Sequence, residues 1–189
     1  MKRALMVSAS FVLAAWAAPG ATQILGLQIL PVPSILAGKY GVTGTVTCNL
    51  STGVVAMMTT QGVYTFYGDG TGTATETALG HNAGVIGSTN VNHHTFTFRH
   101  TVNNDSTFTL TTNPGSFRGT FVSGPNAGLT FSLDQMGPIT GPIGNLAGSL
   151  TGFSALTGVT LDSPLETITL SNGNVIQRKC QRLEIFIKQ

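Results

Sequence analysis

The chain has 189 residues, of which 41% are hydrophobic and 8% are charged, and its formal net charge is +2. This length suits a single domain with a buried core. So few charges exclude the clustered cations on which nucleic-acid binding and attachment to anionic membranes depend.

The first 17 residues have the features of a secretory signal peptide. Lys2 and Arg3 precede an apolar run over residues 4–15, and Ala-Trp-Ala at residues 15–17 fits a cleavage site between small residues. The apolar run is shorter than the roughly 20 residues that span a bilayer. We therefore predict a secreted or periplasmic protein from which residues 1–17 are removed, with no membrane span and no net charge in the mature chain.

Residues 18–37 form an apolar, proline-containing segment that we interpret as an N-terminal arm. Pro31 and Pro33 prevent regular strand pairing, so an extended arm packed along the domain is expected. Left uncovered, the apolar side chains of residues 24–36 would form an adhesive surface. This segment could then join two copies in an oligomer, or make the protein a structural or surface-interaction module.

Residues 38–189 indicate one all-β domain, because polar and apolar residues alternate with period two between short turn sequences. The clearest feature is the hairpin Gln61–Ala78, in which Gly68-Asp69-Gly70 separates two alternating runs and supplies the positive φ angles of a tight turn. A Gly/Pro-rich connection is expected over residues 137–148. The other predicted strands are Lys39–Asn49, Gly53–Thr60, Val91–Val102, Thr107–Thr112, Ser116–Val122, Leu129–Met136, Ser149–Leu161, Leu165–Leu170 and Val175–Ile187.

Consecutive strands joined by short turns favour a meander. A long meander with one apolar face must close on itself or split into two layers, since open edges promote aggregation. In an exported protein, Cys48 and Cys180 are expected to form a disulfide between the first and the last strand. The predicted fold is an antiparallel up-and-down barrel of about 8–10 strands, and the alternative is a two-sheet β-sandwich.

The last strand contains two conflicting patterns. Leu183 and the two isoleucines after it predict the buried face, whereas Cys180 alternates in step with Arg182 and Glu184. A bulge near Gln181, or a cysteine just outside the regular strand, would reconcile the disulfide with an apolar inner face.

The inward faces are rich in aromatic residues, which in a closed barrel either fill the core or line a cavity for a small apolar or amphipathic ligand. The sequence leaves both open. Glu76 beside a lumen histidine could act as an acid/base pair, or it could be a solvated charge on an outward face. The candidate lumen residues are Tyr40, Tyr64, Phe66, Glu76, His94, Phe96, Phe98, His100, Phe117 and Phe121.

No pattern indicates a metal or another cofactor. His94 and His100 share a face but lie about 20 Å apart along one strand, and the sequence contains no Cys/His cluster, no H-E-x-x-H and no G-x-S-x-G motif. An outer-membrane barrel is disfavoured, because the aromatic residues lie in mid-strand and not in two girdles.

The segments Gly62–Thr75 (GVYTFYGDGTGTAT) and His94–Phe98 (HTFTF) resemble small exported bacterial β-barrel proteins with a lipocalin-like, calycin-type build. Gly38-Lys39-Tyr40 stands in the place of the N-terminal G-x-W of lipocalins. Allene-oxide-cyclase-like barrels are similar in outline and imply a cavity isomerase or cyclase. The leading hypothesis is a non-enzymatic barrel with a ligand in its lumen; a cavity enzyme using Glu76 and an interaction module are the alternatives.

Overall fold

A computed structural model describes residues 23–24, 27–28, 36–144, 155–160 and 163–189. The chain forms two units, Met1–Val32 and Pro33–Gln189. In the first unit, β1 (Gln23–Ile24) pairs with β2 (Leu27–Gln28) in antiparallel fashion. The predicted signal peptide lies outside the described residues, as does most of the predicted arm.

The second unit consists of strands in the part of the chain that the structure describes. None of its described residues form a helix with the length and apolarity that a membrane crossing requires. The strands are β3 (Gly38–Leu50), β4 (Val55–Phe66), β5 (Thr71–Asn82), β6 (Asn90–Val102), β7 (Thr107–Thr112), β8 (Phe117–Ser123), β9 (Thr130–Leu133), β10 (Ile139–Gly144), β11 (Ala155–Thr160), β12 (Glu166–Leu170) and β13 (Val175–Lys188).

These strands close into a ring by antiparallel pairing of neighbours. β3, β4, β5 and β6 pair in chain order, and β13 pairs with β3 over eleven consecutive residues, from Arg178 opposite Leu50 to Lys188 opposite Tyr40. On their other edges, β6 pairs with both β7 and β8, and β13 pairs with both β11 and β12. The predicted up-and-down barrel is confirmed, and the chain does not form the alternative two-sheet sandwich.

The remaining wall is made of three interrupted strands. β7 and β8 run in the same direction along β6, and β9–β10 and β11–β12 continue the pattern, so the ring has eight strand positions in the described residues. A proline, which cannot donate to a ladder, is present at 113–116, at 134–138 and in the residues 163–165 that precede β12. Asp134 links the first of these segments to β12, because its carbonyl accepts from Gly115 N–H and its carboxylate from Thr167 N–H.

Two strand assignments differ from the sequence prediction. Residues 139–144, expected as a connection, form β10; Pro142 is not paired with β11 there, although Thr140 and Ile143 on either side are. The run 53–60 and the first hairpin strand form a single strand, β4, which continues through Gly62. Gly62 lies inside the strand. A glycine is required there because β5 approaches so closely that a side chain would overlap Glu76.

The hairpin β4–β5 is formed as predicted. Tyr64 pairs with Ala74 and Phe66 with Gly72, and Gly70 has a φ of 82° in the turn. Small residues on β5 make room for large rings: a Cβ on Gly72 would overlap the Phe98 ring and lie 2.6 Å from the Thr65 carbonyl oxygen.

Replacing Gly72 with alanine is therefore expected to destabilise the barrel by about 1–3 kcal/mol, the usual range for overpacking a filled core. Gly68→Ala, at the tip of the same hairpin, is the matched control because a Cβ there has no neighbour within 4 Å. Urea denaturation of both variants checks the difference. Equal stabilities would show that the Phe98 ring can move aside at little cost.

One half of the barrel interior is filled by packed rings, and we call it the aromatic half. Phe66 is at its centre, with ring centroids 5.0 Å from Tyr40, 5.1 Å from Phe98 and 5.0 Å from His100. Its other buried members include Phe108, Leu110, Ile139, Leu156 and Phe186. Leu36 is also buried against this half, and its carbonyl accepts a 3.1 Å hydrogen bond from His100 Nε2.

The orientation of β13 was predicted wrongly. Leu183, Ile185 and Ile187 point outward and are 43–46% exposed, and the ladder with β3 has no bulge over 178–188. The predicted disulfide is confirmed: Cys180 lies directly opposite Cys48, and their sulfurs are bonded. Because the two cysteines face inward, the period-two alternation also turns the charged residues of β13 inward.

Candidate ligand site in the barrel lumen

The other half of the interior, which we call the polar half, contains a cavity of about 100 Å³. Most of its apolar lining comes from β3, β4, β8, β9 and β12, and its charged and amide side chains come from β5, β6 and β13. The lining includes Val46, Met58, Glu76, Asn92, His94, Phe117, Phe121, Phe131, Met136, Ile168, Arg178, Arg182 and Glu184.

A second cavity, of about 150 Å³, adjoins the first at the end of the barrel where β3–β4, β5–β6, β8–β9 and β12–β13 are connected. It shares Met58, Asn92, Phe121, Ile168 and Arg178 with the first cavity. The polar half therefore has a mouth at this end, lined further by Ser88, Asn90 and Asn126.

Two larger depressions, of about 690 and 720 Å³, lie on the outer face of the sheet. They are broad open grooves over threonine-rich outward faces, including Thr75, Thr95 and Thr120. Binding sites for small molecules usually enclose most of the ligand. We therefore place the candidate site in the lumen and not in the larger outer grooves.

A buried acid–imidazole pair lies on the wall of the lumen cavity. His94 Nε2 is 2.8 Å from Glu76 Oε2, and Nδ1 is 2.8 Å from Asn92 Oδ1. The imidazole also stacks on Phe117, with centroids 4.6 Å apart. The Tyr64 hydroxyl lies between two carboxyl groups, 3.3 Å from Glu76 and 3.4 Å from Glu184. Register places the pair, since Glu76 and His94 are directly opposite on β5 and β6.

A second charged cluster lies beside the first and is centred on Glu166, which is fully buried. Its Oε1 is 2.6 Å from Arg182 Nη2, and its Oε2 is 3.0 Å from Arg178 Nε. Ser163, from the interruption before β12, donates a 3.1 Å hydrogen bond to Oε1. A carboxylate buried with two guanidinium partners meets the usual condition for burying charge.

Four of the ten candidate lumen residues line the cavity: Glu76, His94, Phe117 and Phe121. The other six face inward but pack in or next to the aromatic half: Tyr40, Tyr64, Phe66, Phe96, Phe98 and His100. The two sequence alternatives, filled core and cavity, thus apply to different halves of one lumen.

Burial lowers the pKa of His100 and raises that of Tyr64 well above its ordinary value.

Sequence reasoning missed the charged side chains of β13 that line the cavity, Arg178, Arg182 and Glu184, and their buried partner Glu166 on β12. A usable signal existed, because a disulfide to Cys48 requires an inward Cys180 and alternation then places these β13 side chains inside. Among the residues that the structure describes, no group of three or more His, Cys, Asp or Glu side chains could hold a metal ion.

Burial raises the pKa of Glu184 to about 8, and the neighbouring Glu76 carboxylate adds to the rise. Arg182 and the Tyr64 hydroxyl act in the opposite direction but are outweighed. At neutral pH the side chain is therefore mainly in its acid form, which avoids placing a second negative charge beside Glu76.

This raised pKa predicts a specific pH dependence of stability. Folded Glu184 holds its proton up to about pH 8, whereas the unfolded side chain releases it near its ordinary value of 4.5. Between these values unfolding releases a proton, so stability falls as pH rises, by at most about 1.4 kcal/mol per pH unit. Glu184→Gln is expected to remove this component. In urea denaturation, the free energy of unfolding of Glu184→Gln relative to that of wild type should therefore rise from pH 5 to pH 8. Parallel curves would contradict the assignment.

No protein-family model matches the chain, and no curated protein matches it. Among solved structures, the chain is similar to a redesigned β-barrel, mFAP0, bound to DFHBI, with 15% sequence identity, 81% of this chain and 98% of that chain covered, and a TM-score of 0.26. A likeness of this degree carries no argument about the site. The barrel follows from the strand pairing of this chain, and the candidate site from its own geometry.

Proposed function

We propose that this chain is an exported barrel of lipocalin-like build that binds a small amphipathic molecule in the polar half of its lumen, without catalysis. The observation that carries the proposal is the lumen cavity, in which apolar side chains face buried charged ones. Ligand pockets combine these two features, since apolar walls supply affinity and a few placed polar groups supply orientation.

The cavity volumes limit the size of the ligand. An apolar cavity of about 150 Å³ accepts a molecule the size of benzene, and the two adjoining cavities here measure about 100 and 150 Å³. In the aromatic half, by contrast, neighbouring rings pack at centroid distances of 5.0–5.6 Å. We infer a ligand with one ring or a short chain, and not a long lipid.

Export is the part of the proposal that rests on the leader sequence. The disulfide supports it, because such bonds persist mainly in oxidising compartments. Cleavage after residue 17 in an exporting host, read by mass spectrometry of the mature N-terminus, is the expected result. Retention of the intact leader would contradict it.

Two neighbouring methionines provide the test of binding. Met58 lines both cavities, whereas Met57 on the same strand points outward and is 45% exposed. In protein labelled with methyl-¹³C methionine and purified without detergent, small amphipathic probes such as benzyl alcohol and 1-hexanol should shift the methyl signals of Met58 and Met136 and leave Met57 unchanged. Equal shifts at Met57 and Met58, or none at Met58, would overturn the proposal.

A cavity enzyme of the isomerase or cyclase type is the second candidate, and the 2.8 Å contact between His94 and Glu76 on the cavity wall favours it. Such a pair can move a proton to and from a bound substrate. Once a reaction is found, Glu76→Gln should lower kcat by a factor of at least about 100. An unchanged kcat would dismiss the pair as catalytic.

A further inference from the structure

We propose that the polar end of the lumen ligand is a carboxylate, held by the guanidinium groups of Arg182 and Arg178. This inference rests on the proposed function, since it names the chemical class of a ligand in the same cavity. It makes the ligand a small aromatic or short aliphatic acid.

Arg182 carries the inference because its hydrogen-bonding capacity is only partly used. Its side chain is 3% exposed and lines the cavity, and Nη2 is engaged with Glu166. Its other terminal nitrogen, Nη1, is buried and has no hydrogen-bond partner among the described residues. A buried donor left unpaired costs about 1–3 kcal/mol, and more when it is charged. An acceptor that entered the cavity would remove this cost.

The charges around the cavity favour an anion over a neutral acceptor. Arg178 and Arg182 share one carboxylate, that of Glu166. The other two acids on the wall are not bonded to the guanidinium groups: Glu76 contacts His94 and the Tyr64 hydroxyl, and the raised pKa of Glu184, about 8, keeps that side chain mainly neutral at pH 7. A negatively charged group on the ligand would give the two arginines a second carboxylate beside the one that they share.

The shape of the partners selects a carboxylate among anions. A planar guanidinium matches the two oxygens of a carboxylate, and such charge-assisted bonds are roughly twice as strong as neutral ones. The cavity also has an apolar side, on which Phe117, Phe131 and Ile168 are available to cover a ring or chain. A multiply charged inorganic anion would leave this wall uncovered and introduce more charge than one guanidinium balances.

Matched probes and matched variants test the inference. Benzoate and benzyl alcohol differ mainly in charge, and their dissociation constants are read from the Met58 and Met136 methyl shifts of the full chain. Wild type should bind benzoate at least tenfold more tightly than benzyl alcohol. Arg182→Gln should abolish this preference. Lys179→Gln, which removes an outward cation from the same strand, should preserve it.

Each outcome is decisive. Equal affinity of wild type for the two probes would overturn the carboxylate assignment and leave the proposed function standing, whereas no shift at Met58 with either probe would overturn both. A loss of preference in Lys179→Gln as large as in Arg182→Gln would reduce the effect to long-range attraction and overturn the role of Arg182. If Arg182→Gln does not fold, Arg182→Lys retains a cation beside Glu166 without the second nitrogen and should lower the preference for benzoate at least threefold.

Discussion

Replacing Glu166 with glutamine is expected to destabilise the barrel by about 3–5 kcal/mol, the usual cost of removing one partner from a buried ion pair. The variant keeps the size of the side chain but leaves Arg178 and Arg182 buried without their shared carboxylate. Against the roughly 5–15 kcal/mol that hold an ordinary domain folded, this loss is large. The midpoint of urea denaturation, followed by circular dichroism, measures it.

Glu184→Gln is the matched control for this prediction. Both glutamates are almost fully buried in the polar half, but at pH 7 the raised pKa of Glu184 already makes it mainly a neutral acid, which an amide imitates. Its replacement should therefore leave stability unchanged or increase it. A loss in Glu184→Gln equal to that in Glu166→Gln would show that the barrel senses any change of these side chains and not the loss of a charge.

The double substitution Cys48→Ala and Cys180→Ala is expected to cost about 5 kcal/mol on the chain-entropy model of disulfide stabilisation. The two cysteines are 132 residues apart in sequence, so the bond restricts most of the unfolded chain. It also joins β3 to β13, the pair of strands that closes the ring. The difference in unfolding free energy between wild type and the double variant measures the contribution.

A reducing agent supplies the control for the disulfide prediction. Wild type unfolded and refolded with dithiothreitol should fall to the stability of the double variant, while the variant itself should not respond. Wild type that keeps its stability after verified reduction would mean that the strand ladder alone, and not the bond, closes the ring.

Local sequence patterns were sufficient for much of the fold. The alternation in Gln61–Ala78 predicted the hairpin. The period-two alternation along β6 placed His94, Phe96 and Phe98 on one inner face. These features depend on neighbours only a few residues away, where the period of two determines which side chains share a face. The disulfide was predictable for a different reason, since a chain that is expected to be exported and has two cysteines offers one pairing.

The last strand shows where apolar content misleads. Leu183, Ile185 and Ile187 were assigned inward because apolar residues usually are, yet one-sided burial of an antiparallel strand is set by its register with β3. That register places Cys180 and the charged residues beside it in the lumen. The burial of the two arginines among them depends on Glu166 on another strand, a partner that no local pattern identifies.

The interruptions and the cavity were also beyond local prediction. β10 contains Pro142 in a glycine-rich segment, and its pairing depends on β7, which is about 30 residues earlier. Met58 and Asn92 line the cavity, but nothing in their immediate sequence separates them from core-filling residues. Whether an inward face is filled or hollow depends on how side chains from several strands meet across the lumen.

The short strands of the interrupted wall contribute to two separate parts of the barrel interior. The short strands β8, β9 and β12 contribute Phe117, Phe131 and Ile168 to the cavity, while β7, β10 and β11 complete the aromatic half. Substitutions in the first set can change the shape of the cavity without touching the packed rings of the aromatic half. During evolution, the cavity can therefore change its shape while the aromatic half continues to stabilise the fold.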